Sequence, residues 1–459
     1  MYSADVAEYG GLPNTHVSVV TLGHPGTLPV VNEKAVEFAV RLGIAVNADI
    51  REENQFARKN YFYADLPKGY QITQDKTPIC TGGYITAKLK DGKELRVNLT
   101  RIHMEEDAGK SMHDIDANDT LIDLNRAGTP LLEIVTEPDL RSGEEAYAYL
   151  TEVRKLVRYL DICDGNMEEG SLRCDANISV RLKGAKAYGK KVEVKNMNSF
   201  RNVQRAIDFE IKRQIDLIED GKEIAVETRS FDAVKDLTFS LRSKESANDY
   251  RYFPEPDLLP VFIGQEYISR VKAQLPVLPA QLFETYTNKY KLSEYDALQI
   301  IESKVEAAYY NELLKHTGNY KSAANWLLGP VRSYLNEKAL NFSDLKIAPR
   351  TIAQIISLID SGAVSNSAAT QRLFPALAEQ PGREPADVAK ELDLLQNSDT
   401  NELQSLVDEA IGKFPQKAEE YRNGKVGLLG MFVGEAMKLS RGKADPKMLN
   451  KLVKETLEK

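Results

Sequence analysis

Carboxylates are gathered in two short phrases of this chain. The first is His103-Met104-Glu105-Glu106-Asp107-Ala108-Gly109-Lys110-Ser111. The second is Asn166-Met167-Glu168-Glu169-Gly170-Ser171-Leu172-Arg173-Cys174-Asp175-Ala176-Asn177. Acids crowded together cost stability unless something cationic sits among them. A divalent metal with a phosphate attached is the natural cation, since magnesium takes one or two carboxylates and fills its shell with water and phosphate oxygens. Only a subset of Glu105, Glu106, Asp107, Glu168, Glu169 and Asp175 therefore needs to be ligands. The ordinary alternative is a set of solvated loop acids. Asp175 tilts the balance toward a site, because strand alternation puts it on one polar face with Arg173 and Asn177.

Cations accompany these acids. Arg58-Lys59-Asn60-Tyr61-Phe62-Tyr63, followed by Lys68-Gly69-Tyr70-Gln71, interleaves cations with aromatics, a composition suited to phosphate or a nucleic-acid end. An amphipathic strand surface is the plainer alternative. Leu124-Asn125-Arg126-Ala127-Gly128-Thr129-Pro130 is a loop whose arginine is fit to clamp phosphate. Gly109-Lys110-Ser111 is not a P-loop, because Met104 stands where that motif needs its first glycine. His16, His24, His113 and His316 lack paired-ligand spacing and read as structural or surface residues. His103 differs through its acidic neighbours.

Local patterns indicate what must carry these groups. Tyr84–Leu89 and Leu95–Leu99 alternate around Asp91-Gly92, predicting a hairpin with Leu89 facing Leu95 across an odd-length, bulged turn. Its second strand runs on to the first acidic phrase. Ser142-Gly143-Glu144-Glu145 is a capping box opening a helix that is expected to end near Asp164-Gly165, just before the second phrase. Alternation from Ser171 to Leu182 predicts a long strand, with Val192–Lys195 as its partner in an antiparallel sheet. Ser199 opens a helix with Phe200, Val203, Ile207, Ile211, Ile215 and Ile218 inward, stopped by Gly221. Prolines 254, 256, 260, 276 and 279 then crowd the chain, and beyond residue 277 the pattern is helical. Gly427, Gly430 and Gly434 read as positions of tight helix packing. Lys438, Arg441, Lys443 and Lys447 lie in a basic terminal stretch, read either as a solvated helix face or as an RNA-backbone contact.

Composition sets the outer limits. The 459 residues imply roughly two to four domains. Apolar residues at 42% and charged residues at 28% fit a soluble globular protein, and no stretch nears the ~20 apolar residues of a membrane span. The net charge of −8 argues against broad polyanion binding while permitting a local basic surface. The opening residues lack the basic and apolar regions of a signal peptide, and Cys80, Cys163 and Cys174 have no CxxC spacing. Reduced thiols and a cytoplasmic location are expected.

These phrases together resemble the B subunit of the glutamyl-tRNA(Gln)/aspartyl-tRNA(Asn) amidotransferase family. The resemblance rests on Gly23–Asn32, Arg58–Tyr63, His103–Ser111, Asp123–Arg126, Met167–Asn177 and Asp249–Asp257, and extends through the helical part to the glycine-rich tail. It implies an α+β protein: a cradle domain around an antiparallel sheet (1–276), then an all-α helical domain (277–397) and a tRNA-contacting tail domain (398–459). It implies a cytoplasmic heterotrimer completed by a small C subunit and a glutaminase A subunit. With ATP and Mg2+, the B subunit would phosphorylate the side-chain carboxylate of misacylated Glu-tRNA(Gln) or Asp-tRNA(Asn), and ammonia would then displace the phosphate.

By the same resemblance Glu106, Asp175 and Lys195 are catalytic. Glu105, Glu106, Glu169 and Asp175 hold the metal, while Lys59, Arg126 and Arg173 contact ATP. Lys438, Arg441, Lys443 and Lys447 contact tRNA. In the family a Gly-Leu-Glu-x-His phrase, ahead of the region that this chain resembles, supplies further metal ligands, so Glu106 and Asp175 are expected to be part of a larger set. The cysteine pairs of zinc-bearing relatives are missing, so no zinc is expected. The competing expectation is a non-catalytic scaffold that positions tRNA.

Overall fold

The computed structural model describes residues 5–6, 8–113, 115–116, 118–243, 250–396, 400–440 and 443–458. The chain forms two compact units, 1–279 and 280–459.

The first unit is α+β. In chain order its elements are α1 (Glu33–Ala45), β1 (Asp49–Ile50), β2 (Glu53–Asn54), β3 (Ala57–Asn60), β4 (Tyr70–Thr73), β5 (Cys80–Thr81), β6 (Tyr84–Lys88) and β7 (Glu94–Glu106). Next come β8 (Lys110–Met112), β9 (Leu121–Asp123), β10 (Pro130–Thr136), α2 (Gly143–Tyr159), β11 (Ala176–Ile178), β12 (Val192–Lys195) and α3 (Phe200–Glu219). The unit ends with β13 (Glu227–Asp232), β14 (Leu237–Ser243), β15 (Phe253–Pro254), β16 (Val261–Phe262) and α4 (Gln265–Ala273).

The long strand β7 organises the main sheet, whose order is β1-β5-β7-β10 with β6 also on β7. The β6–β7 hairpin has an odd-length loop, as its sequence predicts, but Ala87 rather than Leu89 faces Leu95. Leu89 instead donates to the Lys93 carbonyl (2.9 Å), and Gly92 takes the positive φ that closes the turn. β10 runs antiparallel to β7, placing Leu131 opposite Glu105 and Glu133 opposite His103.

A second sheet has the order β11-β12-β13-β14. It is mixed rather than antiparallel, because β12 pairs parallel to β13. The long strand expected from Ser171 to Leu182 shrinks to Ala176–Ile178, which pairs with β12. Inward and outward residues still alternate from Ser171 to Ile178. Alternation reports which side faces the core, whereas a ladder also needs a neighbour, and β12 offers partners to three residues only.

Ser142 caps α2 by accepting from the Glu145 amide (3.1 Å), but Glu145 answers the Arg141 amide (2.6 Å) instead of closing the box on Ser142. This helix stops at Tyr159, short of the expected end, and Asp161 takes a positive φ just beyond it. Ser199 caps α3 and Gly221 follows it. Its fully buried positions are Val203, Ala206, Glu210 and Gln214; Phe200, Ile207 and Ile211 pack against the same core as expected, whereas Ile215 and Ile218 are exposed. Val40, Leu42, Ile72, Cys80, Ile102, Val194 and Ala206 lie in one core that both sheets share with α1 and α3.

The second unit is helical. Leu403, Val407, Ala410, Phe432, Ala436, Leu449 and Val453 make a core of their own near its end. A Cβ at Gly427, Gly430 or Gly434 would meet nothing within 4 Å, so these glycines do not serve tight packing. No helix among the described residues is long and apolar enough to cross a membrane.

Candidate metal and phosphate site

The end of β7 sends its two glutamates to opposite sides, as a pleated strand must. Glu106 turns inward and is almost fully buried. Its carboxylate accepts from the Lys68 ammonium (2.5 Å) and the Ile72 amide (3.0 Å), and its carbonyl accepts from Gln71 Nε2 (2.6 Å). Burial holds the Lys68 ammonium below its ordinary range, against the opposing pull of Glu106.

Glu105 turns to the other face with His103, and the β10 register adds Glu133. One ligand atom from each of these three residues lies within 4.8 Å of the others. His103 Nε2 is 3.7 Å from Glu105 and 3.6 Å from Glu133. Burial works to raise the Glu105 pKa, but the His103 hydrogen bond and the Lys59 charge outweigh it and hold the carboxyl below its ordinary value. Glu133 is pushed the other way, first by burial and then by the Glu105 charge. Two carboxylates that resist sharing one place suit a hard cation such as magnesium, while an imidazole nitrogen is a less usual partner for it.

Lys59 lies over the Tyr61 and Tyr250 rings, at 5.7 and 4.9 Å from their centroids. Its neighbour Arg58 points the opposite way along β3, forks onto Glu255 (2.7 and 2.9 Å) and reaches Asp257 (2.9 Å). That fork pins the segment carrying Tyr250 and Tyr252 against β3.

The two acidic phrases meet at Asp107. Arg126 Nη2 and Nε bind one carboxylate oxygen (2.6 and 3.2 Å), and Arg173 Nη2 binds the other (2.7 Å). Gly170 lies against the same group: its φ is +80°, and a Cβ there would stand 2.7 Å from Arg126 Nη1. Farther along the second phrase, Asp175 pairs with Lys195 (2.5 Å), which also lies 3.5 Å from Glu193. Burial disfavours the Lys195 charge, but Asp175 and Glu193 overcome this and raise its pKa. Glu169 is half-buried and ion-pairs with no described residue.

Of the residues the sequence singles out, Glu105 joins the three-residue cluster, whereas Glu106, Glu169 and Asp175 do not. Arg126 and Arg173 come together. Lys438 and Lys447 are exposed and form no ion pair with a described residue, while Lys443 is bound by Asp393. Arg441 lies outside the described residues. Glu133 gains a weight that sequence reasoning did not give it, and Asp107, one of the six acids weighed as ligands, is engaged by two arginines instead. A signal for Glu133 existed: it is the lone charge in the apolar run Leu131-Leu132-Glu133-Ile134-Val135.

Comparisons with known proteins bear on this geometry. Residues 1–269 match the family described as GatB/GatE catalytic domain, and residues 308–457 match the GatB domain family. Similar curated proteins include the aspartyl/glutamyl-tRNA(Asn/Gln) amidotransferase B subunit of Ectopseudomonas mendocina, 48% identical over 100% of this chain and 96% of that protein. The protein of the same description from Alkalilimnicola ehrlichii is 46% identical over 100% of this chain and 96% of its own length. That from Persephonella marina is 46% identical over 98% of this chain and 94% of its own length.

Proposed function

This chain belongs to the family of aspartyl/glutamyl-tRNA(Asn/Gln) amidotransferase B subunits, and from that premise we propose that it uses ATP to phosphorylate, and ammonia to amidate, the side-chain carboxylate of Glu-tRNA(Gln) or Asp-tRNA(Asn). A carboxylate resists direct amidation because oxide is a poor leaving group. Transfer of the γ-phosphoryl group to its oxygen gives an acyl phosphate and ADP. Ammonia then forms the C–N bond as the C–O bond to phosphate breaks, phosphate departs, and the nitrogen sheds a proton. Such a transfer needs positioning and charge neutralisation more than covalent catalysis.

The observation that carries this reading is the meeting of the two acidic phrases at Asp107, with two arginines between them and Glu105 two residues away. Glu105 and Glu133, with His103 beside them, fit a magnesium ion, which when bound neutralises phosphate charge. Arg126, Arg173 and Lys59 contact phosphate oxygens. Lys195, held by Asp175, presents a second cation to the acyl group. Glu106 fixes the buried Lys68 below the strand end. Ammonia comes from a glutaminase subunit in a cytoplasmic complex with a small third subunit. Lys438 and Lys447 meet the tRNA backbone.

Hydroxylamine converts an acyl phosphate to a hydroxamate, which provides the test. Hydroxylamine also cleaves the aminoacyl ester, so the readout is the side-chain hydroxamate that forms from Glu-tRNA only with ATP. In the complex assembled with its partner subunits, Glu105→Gln and Asp175→Ala should each lower it roughly hundredfold, with tRNA binding retained. Undiminished hydroxamate in both variants would sink the assignment.

A further inference from the structure

Asp107 keeps only 9% of its surface exposed, and both oxygens of its carboxylate are engaged. Oδ1 accepts from the Ala108 amide (2.9 Å) and from Arg173, and Oδ2 accepts from Nε and Nη2 of Arg126. Its backbone clasps the Arg126 turn as well: its amide donates to the Thr129 carbonyl (2.8 Å), and the Gly128 amide donates to its own carbonyl (2.9 Å). A carboxylate so occupied is a holder of cations rather than a metal ligand. Two guanidinium charges face its single negative charge, so the group is positive overall. Arg173, with 54% of its side chain exposed, has no other acidic partner among the described residues. Guanidinium binds phosphate through the same two-oxygen geometry by which it binds carboxylate.

We propose that Asp107 is a positioning residue that sets Arg126, from the loop before β10, and Arg173, from the second acidic phrase, as one preformed clamp for the phosphoryl group of ATP. The inference rests on the ATP-dependent reading above. Gly170 belongs to the same device, because any side chain there would displace the Arg126 guanidinium.

Asp107→Asn preserves shape and removes the charge, so it is the informative change in the assembled complex. The KM for ATP should rise roughly tenfold, that of a lost charge-assisted contact, while the KM for aminoacyl-tRNA stays unchanged. Arg173→Ala should raise the KM for ATP by a similar factor, and the Asp107→Asn/Arg173→Ala double variant by no more than about the larger single effect, because both act through one clamp. Arg173→Lys should not restore the wild-type value, since it keeps the charge and loses the fork. A wild-type KM for ATP in Asp107→Asn, or a double variant whose effects multiply, overturns the proposal. Should Asp107→Asn fail to fold, an unchanged KM for ATP in Arg173→Ala overturns it equally. A wild-type complex that forms the ATP-dependent side-chain hydroxamate beside unaffected variants removes the clamp alone; one that forms none removes the parent reading with it.

Discussion

Glu105 and Glu133 lie diagonally on one face of neighbouring strands, and folding shifts their pKa values in opposite directions. A carboxyl whose pKa is raised by folding costs stability once the pH exceeds its unfolded value of 4.5, and the cost grows until the pH passes the folded value. Glu133→Gln should therefore raise the melting temperature at pH 7 without metal. The Glu133 side chain is about half exposed and screened, so the gain should stay below about 1 kcal/mol, or roughly 2 °C. It should fade at pH 4, where both states are largely protonated. Magnesium should reverse the ranking by stabilising the wild type more than the variant. Calorimetry with chelator and then with magnesium decides; a variant that melts lower in chelator would contradict this. At this scale the sequence made the first acidic phrase visible but not its division. Strand pleating sends Glu106 to Lys68 and Glu105 to His103, and the buried lysine that claims Glu106 lies far back in the chain.

Helices α2 and α3 touch where α2 begins. The Gly143 amide donates to Asp208 Oδ1 (3.2 Å), and a Cβ on Gly143 would stand 2.5 Å from that oxygen and 2.6 Å from the Gln204 carbonyl. Alanine for glycine inside a helix ordinarily gains about 1 kcal/mol. Here Gly143→Ala should instead cost about 2 kcal/mol by forcing the helices apart. Ser142→Ala, which removes only the cap, should cost about 1 kcal/mol. Urea unfolding measures both, and a stabilised Gly143→Ala would refute the close approach. The elements show where sequence reading succeeds and stops. Caps, hairpins and helix starts are local, so Ser142, Ser199 and the β6–β7 loop were legible. The inward face of α3 was legible only in part: Phe200, Val203, Ile207 and Ile211 meet the core, but Glu210 is fully buried beside them by Arg213 on its own helix and Arg229 on β13. A buried carboxylate is tolerable only with such partners, and the isoleucine spacing of α3 carries no trace of Arg229.

Across the whole molecule the net charge of −8 makes local basic surface the determinant of any RNA contact. Lys438 and Lys447 are exposed, whereas Lys443 is already answered by Asp393. Replacing Lys438 or Lys447 by glutamine should weaken tRNA binding and lower the slope of log affinity against log salt by about one each. Lys443→Gln should change the slope less. Titrations at several salt concentrations test this, and equal slopes in all three variants would exclude the basic end from the contact. The change from mixed to helical content was legible from the shift in periodicity beyond the prolines. The mixed second sheet was not, since strand direction depends on the path between strands rather than on the strands themselves. That path has a kinetic consequence. β11 and β12 are neighbours in sequence and pair antiparallel, so the Asp175–Lys195 contact closes a short loop. β13 can join β12 only after the 20 residues of α3 have crossed over. Loop closure and parallel pairing both slow that step, so as the chain folds the charge pair can assemble before the network of Glu210 with Arg229.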